Sequence, residues 1–74
     1  MMDIKKLGSI CKEYRKNVLK LSLTNFALIN NENLQNIHAF ENGRANNIKY
    51  IYMYLETGTD EQKKKLIKEL FNIL

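Results

Sequence analysis

Ser22 to Arg44 reads SLTNFALINNENLQNIHAFENGR, and the spacing of its polar and apolar residues decides how the chain is read. Ser22 can cap a helix with its hydroxyl, and Phe26, Ala27 and Ile29 give that helix an inward face. Asn30 and Asn31 stop it, because asparagine tolerates the left-handed backbone that a tight turn between helices needs. Asn33 can then cap a further helix with Ile37 and Phe40 inside, ended at Gly43. The stretch predicts two short helices joined by a tight turn, over residues 22–42.

The flanking sequence extends the pattern in both directions. Ile4, Leu7, Cys11, Tyr14, Val18 and Leu21 recur at alternating spacings of three and four, one apolar stripe on a helix of about five turns. Gly8 lies inside the stripe and marks either a late helix start or a close contact. Downstream, Asn46 or Asn47 can cap a fourth helix with Ile48, Ile51, Tyr54 and Leu55 inside, ended at Gly58. Thr59 or Asp60 opens a fifth over residues 60–73, where Asp60 and Glu61 complement the helix dipole. Leu66, Ile67, Leu70, Phe71 and Leu74 form its apolar side. Five helices and no strand are predicted.

Composition narrows the class. A chain of 74 residues is one small domain, able to bury only about 60% of the surface it exposes when unfolded. No run of about 18 apolar residues is present, so no membrane span is expected. No charged-then-apolar leader opens the chain, and the single Cys11 fits a reducing cytoplasm. The net charge of +4 favours polyanions weakly. It is unevenly spread. Residues 1–21 carry six basic side chains against two acidic, residues 22–58 carry two against three, and residues 59–74 carry four against three.

The order of residues from Ser22 onward resembles the helix-turn-helix of the Cro/repressor (XRE-like) family of phage and bacterial transcription regulators. The resemblance rests on Ser22, on Phe26-Ala27, on Ile37, and on Phe40-Glu41-Asn42-Gly43-Arg44. Upstream, Leu7-Gly8 and Cys11 to Arg15 are similar to the family's first helix with shifts of one residue. Residues 7–58 are covered. The resemblance implies an all-α, lambda-repressor-like domain that binds a palindromic DNA operator as a dimer, with residues 34–42 in the major groove. It also implies a buried pair, Arg15 with Glu41, in which the first-helix arginine holds the end of the recognition helix. Three positions depart from the family pattern. Asn31 replaces a glycine, Glu32 replaces a small aliphatic residue, and Leu34 replaces a polar reader. A re-registered turn, with Leu34 filling the gap and Glu32 in solvent, would accommodate all three.

Under this resemblance Leu34, Gln35 and Ala39 are the base-reading positions. Glutamine can bind adenine through N6 and N7, and leucine or alanine can meet a thymine methyl. Asn33, Asn36, His38, Asn42, Arg44 and Asn46 flank that face or reach the backbone. The plainer alternative is that these are solvated residues of a short helix. Lys5, Lys6, Lys12, Lys16 and Lys20 are either a solvated face or the main source of positive field. Ile67, Leu70, Phe71 and Leu74 exceed what one buried stripe needs, and the surplus suggests a dimer interface.

His38 has no neighbouring ligand residue, so no metal is expected, nor any cofactor. Cys11 falls on an apolar face as a small core residue, and Ser9 and Ser22 lack a base, so an enzyme is not expected. A second class of function stays open on the same scaffold. A protein-interaction module, such as an antirepressor or an inhibitor of a host protein, would fit the slightly acidic middle segment, Glu32 and Leu34.

Overall fold

The structure, a computed structural model, describes residues 3–45 and 47–73 and is all-helical. Five α-helices run as α1 (Ile4–Glu13), α2 (Leu23–Ile29), α3 (Leu34–Glu41), α4 (Lys49–Thr57) and α5 (Asp60–Ile73), and no strand occurs among the described residues. A π-helical turn, Tyr14–Val18, continues α1. Most helix starts are set by a local side chain. Asp3 Oδ1 accepts from the Lys5 and Lys6 amides, Ser22 Oγ from Asn25, and Asn33 Oδ1 from Gln35. Thr59 and Gln62 exchange hydrogen bonds of 2.9 and 3.2 Å across the first turn of α5, a reciprocal cap. Asn47 Oδ1 accepts from the Lys49 amide at α4; Asn46, the other candidate cap, lies outside the described residues.

The turns close by one recurring geometry. The Glu32 amide reaches back to the Ala27 carbonyl (3.0 Å) and the Asn31 amide to Leu28 (3.2 Å), with Asn31 left-handed at φ 50°. The Arg44 and Gly43 amides repeat the arrangement on Ala39 and Phe40, with Gly43 at φ 74°. Both ends satisfy carbonyls that a helix otherwise leaves open. Asn31→Ala is expected to cost about 1 kcal/mol, since alanine has no side chain to ease the left-handed backbone, and Asn31→Gly to cost nothing. Urea unfolding midpoints of the two variants test this; equal losses in both would show that the backbone conformation is not what matters.

Leu7, Cys11, Tyr14, Phe26, Ala27, Ile37, Phe40, Tyr54 and Leu66 form one sealed core with contributions from all five helices. Tyr54 is its hub. Its ring lies 4.5 Å from Phe26 and 5.9 Å from Phe40 between centroids, while Tyr50 meets Phe40 edge-on at 5.5 Å. Three expectations are corrected. The first helix does not run five turns to Leu21. It widens at Tyr14–Val18, where the Leu19 amide bonds the Tyr14 carbonyl, and reverses at Lys20, left-handed at φ 56°. Ile29 is 60% exposed rather than inward, because Asn30 takes the inner position at the end of α2 and ties it to Thr57 of α4. Ile48 is 56% exposed, lying before the first turn of α4 rather than on its inner face. Ile67 is exposed beside Leu66, which alone in α5 is sealed. Among the described residues no helix is long and apolar enough to cross a membrane.

Candidate nucleic-acid interface

α3 is held by its back. Ile37, Phe40 and Glu41 are buried, and Gln35, Asn36, His38 and Asn42 are exposed on the other side. The strongest anchor is polar. Arg15 Nε donates to Glu41 Oε2 at 2.8 Å and Nη2 to Oε1 at 3.0 Å, a two-point pair with the Glu41 side chain only 2% exposed. Tyr54 donates its hydroxyl to Glu41 Oε2 at 2.8 Å. Arg15 Nη1 donates to the Leu21 carbonyl at 2.8 Å. One guanidinium therefore fixes both the C-terminal turn of α3 and the link from α1 to α2.

The network is built to hold charge in place, not to move protons. Burial, then the neighbouring Glu41 carboxylate, raises the Tyr54 phenol above its ordinary value, so it stays a donor. The same two causes push the Cys11 thiol up to about 12, which keeps it protonated and unreactive near neutrality. Among the described residues no group of three His, Cys, Asp or Glu side chains could hold a metal ion.

Gly8 makes the close approach of α1 to α3 possible. A Cβ on Gly8 would lie 2.7 Å from the Glu41 carbonyl oxygen and closer still to that of Phe40. Gly43 meets Lys5 in the same way, 2.9 Å from its Cα. The start of α1 is thus packed on the end of α3.

The residues singled out in the sequence divide into three groups. Gln35, Asn36, His38, Asn42 and Arg44 are exposed at or beside α3. Asn42 Nδ2 is partly committed, donating to the His38 carbonyl at 2.9 Å. Leu34 and Ala39 are half-buried, Leu34 against the core, and the Asn33 carboxamide oxygen is occupied by the cap. Asn46 lies outside the described residues. Glu32 is not buried: its Oε1 accepts from the Asn33 amide at 2.8 Å at the turn. On α5, Phe71 and Ile67 are exposed, Leu70 packs on the core, and Leu74 lies outside the described residues.

Positive charge gathers along the link from α1 to α2. Lys12, Lys16 and Lys20 line an open groove with Leu21, Ser22 and Leu23, leading to the start of α2. Lys5, against Gly43, brings a further cation to the end of α3 near Arg44. Sequence reasoning missed the Tyr54 hydroxyl as part of the anchor and Lys5 as a neighbour of α3. The first had a signal, since a buried tyrosine normally needs a partner for its hydroxyl. The second had none. No family model, curated protein or solved structure matches the chain.

Proposed function

We propose that this chain is a DNA-binding regulator in which α2 and α3 act as a helix-turn-helix and α3 enters the major groove. The observation that carries the proposal is the polar outward face of α3, on a helix whose inner side is locked by Ile37, Phe40 and the Arg15–Glu41–Tyr54 network. An α-helix with its side chains is about 10–12 Å across, a fit to the width of that groove. Gln35 reads a base edge, with adenine its natural partner, while the exposed parts of Leu34 and Ala39 meet thymine methyls. Arg44, Lys5 and the lysines of the α1–α2 groove contact phosphates and set the register. Two copies would read half-sites about one helical turn, or ~34 Å, apart.

Binding to duplex DNA across a salt series is the direct test. Affinity is expected to fall with a log–log slope of about −0.9 per neutralised phosphate. A folded protein with no binding at low salt would sink the proposal. On a selected site, Gln35→Ala is expected to cost about 1–3 kcal/mol, with little loss on random duplex. Equal losses on both would remove Gln35 from the reading role.

A protein ligand is the second reading. It is favoured by Leu28 and Ile29, adjacent exposed apolar residues at the end of α2, beside a turn that carries Glu32. Loss of partner binding on Leu28→Lys, with DNA binding absent in the wild type, would select it.

A further inference from the structure

α4 presents a face with no partner in this chain. Ile48, Lys49, Tyr52 and Glu56 are exposed, and at 3.6 residues per turn they fall on the side away from the sealed Tyr54. Tyr52 is 66% exposed, one turn from Ile48 and from Glu56.

The charges on this face run against the helix that carries them. Lys49 is the first residue of α4 and Glu56 lies in its last turn. Cations are disfavoured at a helix N-terminus and anions at a C-terminus. Neither has an ion-pair partner among the described residues, where the pairs are Arg15–Glu41 and Lys64–Glu61. An antiparallel copy of the same helix reverses both signs at once. It brings the partner's Glu56 to Lys49 and the partner's Lys49 to Glu56, each at a helix end that welcomes it. Tyr52, midway between them, falls beside the two-fold axis.

We propose that this face pairs two copies of the chain, with the α4 helices antiparallel and Lys49 and Glu56 forming two symmetric ion pairs around Tyr52. Ile48 extends the apolar contact. Such a contact is self-complementary and closes at two subunits. The inference deepens the DNA-binding reading by naming the surface that joins two reading helices, and rests on that reading only for the use of the dimer.

Sedimentation velocity without DNA tests it, so the dimer and DNA binding can fail separately. The wild-type chain of 8.7 kDa is expected to double its mass with rising concentration, less readily at high salt. K49E and E56K should each weaken self-association at least about tenfold, the equivalent of about 1.4 kcal/mol. Mixing the two variants should restore a dimer of one copy of each, because all four charges then face opposite partners. In the monomer range each variant should melt no lower than wild type, since each change suits the helix dipole. A wild type that stays monomeric overturns the proposal. So do single variants that dimerise as wild type does, or a mixture that stays monomeric.

Discussion

Arg15→Ala is expected to cost this domain about 3 kcal/mol or more, the loss typical when one partner of a buried ion pair is removed. Glu41 would keep only the Tyr54 hydroxyl as a donor in a site from which water is nearly excluded. The Leu21 carbonyl would lose its donor as well. A domain of this length loses roughly 4–8 °C per kcal/mol, so the thermal midpoint should fall by about 15 °C. Arg15→Lys should recover part of the loss, because one ammonium cannot serve two carboxylate oxygens and a separate carbonyl in fixed directions. A joint Arg15→Met, Glu41→Leu variant should be more stable than Arg15→Ala, since no charge is left buried alone. An unchanged midpoint in Arg15→Ala would mean that the pair holds nothing in place.

Gly8→Ala sets two effects of opposite sign against each other. In the middle of a helix the change ordinarily gains about 0.5–1 kcal/mol. Here the new methyl would meet backbone, 2.7 Å from the Glu41 carbonyl oxygen and 2.9 Å from its carbon. Backbone in a packed helix cannot turn aside as a side chain can. α1 must therefore move off α3, and overpacking of this kind costs about 1–3 kcal/mol or more. The clash should win, with a net loss of about 2 kcal/mol in urea unfolding and a matching loss of any function that depends on the position of α3. A variant as stable as wild type would show that the two helices have room to separate.

Much of the fold was legible because its signals are local. A cap acts within three residues, so Ser22, Asn33 and Thr59 could be read as helix starts from their neighbours alone. Asn31 could be read as a turn residue because its left-handed preference belongs to its own side chain. The candidate site was less legible. Arg15 and Glu41 are 26 positions apart, and only a resemblance suggested pairing them. Nothing near Tyr54 in the chain indicated that its hydroxyl would complete that pair, because the contact exists only once α1, α3 and α4 are packed. The widened turn at Tyr14–Val18 was likewise invisible, since spacings of three and four continue through it to Leu21.

The sequence by itself determined that five helices form, where most of them start and which residues could form a core, because each depends on periodicity or on hydrogen bonds a few residues long. It supplied more apolar side chains than a core of this size can cover. Tertiary packing decided which ones were sealed. Ile29 and Ile48 gave up inner positions, while Tyr52, Ile67 and Phe71 were left outside. Packing also brought Lys5 to the end of α3 and set one guanidinium between α3 and the link from α1 to α2. Burial and long-range pairing belong to the assembled faces of several helices, and no single helix carries that information in its own spacing.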